Sequence, residues 1–210
     1  MEEYWESLFK NEGALWKFEP SDSAAVALEL FKSENTKQLL IPGVGYGRNA
    51  GLFHENGLTI TGIEISKSAI DLARARGLDF KIHHGSVLAM PFDTGMYDAI
   101  FCYALIHLLN KKERRQFLKS CYNQLKINGL MIFVVATKQM SLFGNGKYLS
   151  KDRYRISNGL EVFFYDDASI TKEFSGFGML RHCNIFEPIK FAAGFDPMPM
   201  EMIICRKRSI

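Results

Sequence analysis

The chain of 210 residues lacks the features that mark several large classes of protein. It has no apolar run near the roughly 20 residues that a membrane-spanning helix needs. Its first residues, MEEYWESLFK, are acidic and amphipathic, whereas a secretory signal would be basic and then apolar. We therefore expect a cytoplasmic protein that has no membrane partner.

A strong excess of one charge and low-complexity sequence are also missing. The 26 Lys and Arg residues against 23 Asp and Glu residues give a formal net charge of +3, which is too small to make nucleic acid the expected partner. The 47% hydrophobic content is typical of a folded chain rather than a disordered one. We expect a single domain, either a monomer or a homodimer.

Cysteine and histidine do not occur at the spacing that metal sites or disulfide frameworks require. The pair His83-His84 has no third ligand at a useful distance along the chain, so no metal is predicted. The four cysteines are far apart and stand in apolar segments. We predict them to be core thiols: Cys102, Cys121, Cys183 and Cys205.

What the chain does have is a regular alternation of short apolar runs with helical patterns. Strands are predicted at residues 38–41, 58–65, 80–83, 97–103 and 130–136, with helices at 48–56, 66–77 and 111–125. Strands separated by helices form parallel sheets covered on both faces. The fold class is therefore α/β, doubly wound, and two further strands at 180–188 and 200–206 are predicted to form an antiparallel hairpin at the edge of a seven-stranded sheet.

Four segments of the single domain, residues 1–210, are predicted. Residues 1–34 form an N-terminal helical cap and residues 35–137 the cofactor-binding core. Residues 138–165 carry glycines and five bases without a helical period, which predicts a loop or lid. The basic side chains of this segment could attract an anionic substrate, or the segment could be a solvated lid. Residues 166–210 supply a C-terminal helix and the last two strands.

A glycine turn, Gly43-Val44-Gly45-Tyr46-Gly47, follows the first strand and opens the first helix of the core. Glycine permits tight backbone conformations there and lets a ligand approach the main chain closely. Glu64 ends the second strand, where a carboxylate can accept hydrogen bonds from both hydroxyls of an adenosine ribose. The turn and Glu64 together predict a nucleoside cofactor.

Two cofactor classes use such a turn. A nicotinamide enzyme normally shows GxGxxG, which would place glycine at position 48, where this chain has Arg48. The third glycine is instead Gly47, which favours S-adenosylmethionine because that cofactor brings no pyrophosphate to the helix N-terminus. A nicotinamide oxidoreductase and a non-catalytic S-adenosylmethionine-binding domain remain the alternatives.

Through most of residues 38–137 the chain resembles the class I S-adenosylmethionine-dependent methyltransferases. Residues 85–92 (GSVLAMPF), followed by Tyr97-Asp98-Ala99-Ile100, resemble the family's GD-x-x-x-LPF…FD-h-h stretch. Leu125-Lys126-Ile127-Asn128-Gly129 stands where the family has LKPGG. The chain departs from the family at Ile41, which replaces an acidic residue, at Ser86, which replaces the Asp that usually meets the adenine amino group, and at Ile127-Asn128, which replaces Pro-Gly.

This resemblance implies a Rossmann-like fold, S-adenosyl-L-methionine as cofactor, S-adenosyl-L-homocysteine as product and a small-molecule substrate. The residues expected to bind the cofactor are Gly43, Val44, Gly45, Gly47, Arg48, Glu64, Ile65, Ser86, Val87, Tyr103 and Trp16.

A narrower likeness joins Leu40-Ile41-Pro42-Gly43-Val44-Gly45 with an N-terminal Trp5…Gly13…Trp16. Both features resemble the thiopurine and thiol methyltransferase branch, which implies an N-terminal tryptophan segment that closes over the cofactor. It also implies a thiol or another soft nucleophile as the methyl acceptor.

The acceptor site is expected at the carboxyl ends of the central strands, where the strand order switches. Tyr103 and His107 are the candidate catalytic residues at this edge. His107 could be a base, a hydrogen-bond partner of the substrate or a structural residue, and Tyr103 could touch cofactor or substrate or be an ordinary strand-end aromatic. The Asn/Asp-Pro-Pro-Tyr signature of base amino methylation is absent, since the chain reads Cys102-Tyr103-Ala104-Leu105 there.

Overall fold

The computed structural model of the chain describes residues 1–188 and 196–209. Its helices are α1 (Glu2–Glu12), α2 (Asp22–Ser33), α3 (Arg48–Glu55), α4 (Lys67–Ala75), α5 (Lys111–Gln124) and α6 (Asp167–Phe174). Its strands are β1 (Gln38–Pro42), β2 (Thr59–Glu64), β3 (Lys81–His84), β4 (Tyr97–Tyr103), β5 (Leu125–Ala136), β6 (Lys147–Ser150), β7 (Arg153–Arg155), β8 (Glu161–Phe163), β9 (Met179–Glu187) and β10 (Met198–Arg206). A short 3-10 turn, Ile106–Leu108, follows β4.

Seven strands form one sheet in the order β3-β2-β1-β4-β5-β10-β9. The first five strands of that order pair in parallel, and β10 is antiparallel to both β5 and β9. This arrangement confirms the predicted doubly wound sheet with an antiparallel C-terminal edge. The direction of winding reverses between β1 and β4, so a crevice opens at the carboxyl ends of these two strands.

Each face of the sheet is covered by helices, because the central strands are apolar on both sides. On one face Phe101 of β4 meets Phe53 of α3, with ring centres 5.2 Å apart. On the other face Phe133 of β5 meets Phe117 of α5 at 6.1 Å. All four side chains are fully buried, which holds the crevice between two rigid layers.

The strand β5 begins five residues earlier than the sequence predicts. Leu125 pairs with Tyr97 across a register shift, and the backbone N–H of Asn128 donates to the carbonyl of Lys207 at 2.8 Å. The early start therefore depends on a partner about eighty residues away along the chain, which no local pattern in LKING could reveal.

The segment 138–165, which the sequence predicts to be a loop, contains a three-stranded antiparallel sheet, β6-β7-β8. We call residues 138–165 the insert. Its strands have only three or four residues, which is too short to show an alternating pattern. Rings stabilise them instead, since Phe143 packs edge-on against both Tyr154 and Phe164 with centres 5.5 Å apart.

The prediction that all four cysteines are core thiols is wrong for one of them. Cys102, Cys121 and Cys205 are buried, whereas Cys183 is exposed on β9. That strand lies at the edge of the sheet, so only part of it is covered. Among the residues that the structure describes, no helix is both long and apolar enough to cross a membrane.

Candidate cofactor and acceptor site

The three glycines of the turn after β1 all have positive φ but serve different purposes. A Cβ on Gly43 would overlap the Leu105 side chain, and one on Gly47 would overlap that of Leu78. A Cβ on Gly45 would meet no atom of the protein within 4 Å. Gly43 and Gly47 therefore permit close packing of the turn, whereas Gly45 faces open space in the crevice.

Glu64, at the end of β2, also lines the cavity beside this turn and is only 6% exposed. One carboxylate oxygen accepts the N–H of Gly45 at 2.8 Å, and the other accepts those of Ile65 at 2.8 Å and Ser66 at 2.9 Å. Burial raises the pKa of Glu64, while these three bonds favour its charged form. A carboxylate offers about four acceptor positions, so one remains for a ligand hydroxyl.

A cavity of about 430 Å³ extends from the glycine turn along the carboxyl ends of β1, β4 and β5. All but one of the residues predicted for the site contribute to its wall: Gly43, Val44, Gly45, Arg48, Glu64, Ile65, Ser86, Val87, Tyr103, His107 and Trp16. The exception is Gly47, whose role is to start α3 against Leu78.

Ser86 stands at the position where the methyltransferases that the sequence resembles have an acidic residue. Its Oγ accepts the N–H of Leu88 at 3.3 Å and so caps the short 3-10 turn Val87–Ala89. Ser86 also lines the cavity. The hydroxyl can both donate and accept, so it is able to bind a ligand amino group as a neutral partner where the family uses a charged one.

The N-terminal helix α1 is anchored beside this cavity by one carboxylate. Glu6 accepts hydrogen bonds from the Ser66 hydroxyl at 2.7 Å, from the Ser68 hydroxyl at 2.6 Å and from the Ser68 N–H at 3.0 Å. These bonds, that from Ser66 above all, lower the pKa of Glu6 to about 2. Because the Ser66 N–H also donates to Glu64, the same serine contacts both carboxylates.

Four aromatic rings fix the N-terminal segment over the glycine turn. Trp16 lies parallel to Tyr46 of the turn, with centres 6.5 Å apart, and Phe9 meets Tyr46 edge-on at 5.9 Å. The Tyr46 hydroxyl donates to the Lys17 carbonyl at 2.6 Å. Trp5 packs on Phe9 at 5.9 Å and lines the cavity together with Trp16.

These contacts predict that residues 1–18 respond to the cofactor. Binding of S-adenosylhomocysteine is expected to quench tryptophan fluorescence and to slow proteolysis of this segment, because Trp5 and Trp16 line the cavity. A Glu6→Gln variant is the comparison, since it weakens the anchor on α4 and is expected to increase cleavage of the free protein. Equal cleavage of the native protein with and without ligand would assign the segment to the static core.

His107 lies in the turn after β4 and is buried. Its Nδ1 accepts the backbone N–H of Ala136 at 3.1 Å. The proton of the neutral ring must therefore be on Nε2. Burial lowers the pKa of His107 to about 3, so the ring stays neutral and presents an N–H donor rather than a proton-accepting lone pair.

Tyr103 is the last residue of β4 and also lines the cavity. The Arg48 guanidinium lies over its ring, 5.3 Å from the ring centre. Burial raises the pKa of Tyr103 to about 12, so its phenol keeps the proton near neutral pH. Glu113 also lines the cavity, but its carboxylate accepts the Asn110 N–H at 2.7 Å in a capping box at the start of α5.

The far wall of the cavity comes from the insert and has no counterpart among the residues predicted from the sequence. Six of its apolar side chains line that wall: Met140, Leu142, Ile156, Leu160, Val162 and Phe164. The one signal in the sequence is that these apolar residues recur within a segment otherwise rich in bases. Their convergence depends on the small sheet, which the sequence does not predict.

Comparison with known proteins agrees with this geometry. Residues 40–133 match a family model described as a methyltransferase domain. A methyltransferase of Geobacillus sp. strain WCH70 is 27% identical over 133 residues, covering 60% of this chain and 53% of that protein. The tRNA (carboxymethyluridine(34)-5-O)-methyltransferase alkbh8 of Xenopus tropicalis is 30% identical over 125 residues, covering 59% of this chain and 20% of that protein. The chain thus spans about half of the first relative and a fifth of the second.

Among solved structures, the 1,6-didemethyltoxoflavin-N1-methyltransferase of Burkholderia thailandensis, with 1,6-didemethyltoxoflavin and S-adenosylhomocysteine bound, superposes with a TM-score of 0.74. The match covers 99% of this chain and 87% of that chain at 14% identity, so it shows the fold. S-adenosylmethionine, the cofactor predicted from the glycine turn, is thereby confirmed over the nicotinamide alternative. Residues 40–133, which hold the glycine turn and most of the parallel sheet, therefore match the methyltransferase-domain family, and the chain shares the doubly wound fold of S-adenosylmethionine-dependent methyltransferases.

Proposed function

We propose that this protein methylates a small molecule at a soft nucleophilic atom, with a thiol as the best candidate, and that no side chain of the protein removes a proton in the reaction. The observation that carries this proposal is the state of the ionisable side chains around the cavity. Among the described residues, the ionisable side chains named above carry a positive charge, hold their proton or accept backbone N–H groups.

The residues of the cavity fit the cofactor. Gly45 has no side chain and leaves open space next to the glycine turn, and Glu64 keeps one acceptor position for a ribose hydroxyl. When bound, S-adenosylmethionine supplies a methyl group on a sulfonium, and its S–CH₃ bond breaks as the bond from the acceptor atom to the methyl carbon forms. The protein's own contribution is to hold the two reactants in line and to exclude water.

A base would be needed for a hydroxyl or ammonium acceptor but not for a thiolate. His107 has no free lone pair, because Nδ1 accepts the Ala136 N–H and Nε2 carries the proton. Tyr103 keeps its proton, and Glu113 and Glu64 accept backbone N–H groups. A thiol would lose its proton to solvent, so the rate is expected to follow the pKa of the acceptor itself.

The relatives do not select an acceptor, since one is named for methylating a nitrogen of a small molecule and another for a tRNA oxygen. The small-molecule proposal is supported by the cavity of about 430 Å³, which lies between α1 and the insert. Because the cofactor occupies part of this volume, the space that remains suits a compact organic acceptor.

The proposal is tested in two stages. Calorimetric titration is expected to show micromolar binding of S-adenosylhomocysteine and none of NAD. Methyl transfer from labelled S-adenosylmethionine is then measured against thiols, amines, hydroxy acids and metalloid oxyanions, and we expect the thiols to be methylated fastest. Faster transfer to amines or hydroxy acids near neutral pH would refute the soft-nucleophile proposal.

Substitution of His107 gives a separate prediction. His107→Ala is expected to change S-adenosylmethionine binding by less than about tenfold and to retain most thiol methylation at about pH 8. The native enzyme should show no histidine inflection from about pH 5 to about pH 9, since burial lowers the pKa of His107 to about 3.

His107→Gln is the control, because its amide can still accept from Ala136 and donate into the cavity. A loss of roughly a hundredfold in His107→Ala that recovers at high pH would instead identify His107 as a general base.

A further inference from the structure

The far wall of the cavity is built by the insert and is apolar. Ile156, Val162 and Phe164 are buried and form one hydrophobic cluster with Leu108 of the turn after β4 and Ala136 at the end of β5. Leu142 and Leu160 extend this surface toward the opening of the cavity. A molecule between this wall and the glycine turn therefore contacts mostly aliphatic and aromatic carbon.

The basic side chains of the insert do not add charge to this apolar wall. Lys138 pairs with Asp152 at 2.9 Å and with Asp166 at 2.5 Å. Arg155 pairs with Glu161 at 2.6 Å. None of these charged side chains lines the cavity. A charged acceptor would therefore lose its hydration against the insert without gaining a counterion there, which is costly.

Arg153 fixes this wall relative to His107. Its guanidinium donates to the carbonyls of Leu109 at 2.5 Å and Leu108 at 3.3 Å and pairs with Glu161 at 3.2 Å. Both carbonyls directly follow His107 in the turn after β4. The apolar wall and the His107 N–H donor thus belong to one preformed pocket.

We propose that the methyl acceptor is a compact molecule with an uncharged, apolar body, and that the insert is the part of the protein that selects it. This inference rests on the proposed function and names the substrate class of the same site. It also gives the insert a role that neither expectation from the sequence included: an apolar wall, rather than a basic surface that attracts anions or a solvated lid.

The test compares two ligands that differ by one carboxylate group: methyl phenyl sulfide and 4-(methylthio)benzoate, the methylated products of an aryl thiol without and with an anionic substituent. Their binding to the complex of the protein with S-adenosylhomocysteine is measured by ligand-observed NMR titration. We expect the neutral ligand to bind more tightly by about tenfold or more. Equal binding, tighter binding of the carboxylate or binding of neither would overturn the proposal.

A Leu160→Lys variant places a cation on the wall and is expected to shift the ratio of the two affinities toward the carboxylate by about tenfold. Leu142→Lys, at a side chain that is 38% exposed, repeats the test should Leu160→Lys fail to fold. The control is Leu180→Lys on β9, outside the cavity wall and 45% exposed, which should leave the ratio unchanged.

An unchanged ratio in a folded wall variant would show that the insert does not select the acceptor. The affinity of the native protein for S-adenosylhomocysteine distinguishes failure of the proposed function from failure of this inference. No binding of S-adenosylhomocysteine would refute the proposed function. Normal binding of S-adenosylhomocysteine together with equal or tighter binding of the carboxylate ligand would refute only this inference.

Discussion

Replacement of Gly45 by Val is expected to abolish S-adenosylhomocysteine binding while the protein remains folded. The Cβ of Gly45 would meet no protein atom within 4 Å, and Gly45 lines the cavity, so a branched side chain would occupy the volume through which a ligand approaches the turn. The backbone at Gly45 has φ +57°, and a side chain there costs roughly 1–2 kcal/mol of folding stability. Calorimetry and thermal unfolding together measure the two effects.

Gly77→Val is the matched control for this prediction. Gly77 also has a positive φ, of +76°, and open space around its Cβ, but it lies after α4 and outside the cavity wall. We expect a similar loss of thermal stability in both variants and a loss of binding only at Gly45. Intact binding in a folded Gly45→Val protein would mean that the cofactor does not pass over the glycine turn.

Replacement of Glu64 by Ala is expected to weaken cofactor binding by roughly 1.5–3 kcal/mol, because the charge-assisted hydrogen bond from a ribose hydroxyl to its one remaining acceptor position is lost. The structure adds a second effect. The N–H groups of Gly45, Ile65 and Ser66 would lose their shared acceptor, so thermal stability should fall as well. The sequence alone, in which Glu64 is only a ligand for the ribose, predicts an intact fold.

Glu64→Gln separates the two effects. Its amide oxygen can still accept from Ile65 and Ser66, while its NH₂ group faces the N–H of Gly45 and cannot accept from it. We therefore expect Glu64→Gln to be more stable than Glu64→Ala but to bind S-adenosylhomocysteine more weakly than the native protein. An unchanged dissociation constant in both variants would exclude Glu64 from the ribose site.

The sequence by itself determined the sheet, the glycine turn and the position of Glu64. These features follow from local patterns, since a buried parallel strand is a short apolar run and a cofactor turn needs glycine directly after it. Strand β4 is predicted with its exact bounds, and the turn residues Asp93-Thr94-Gly95 shortly before it mark its start. The identity of the cofactor class depends on the spacing from Gly43 to Gly47, which is also local.

Only the tertiary structure decided how the site is finished. The tautomer of His107 depends on the N–H of Ala136, which is 29 residues away along the chain. The apolar wall depends on the short strands of the insert, whose pairing holds Ile156 and Leu160 against the cavity. Such contacts join residues that are distant in sequence, and each is determined by packing rather than by a local pattern. The acceptor side of this methyltransferase therefore became visible only once the chain was folded.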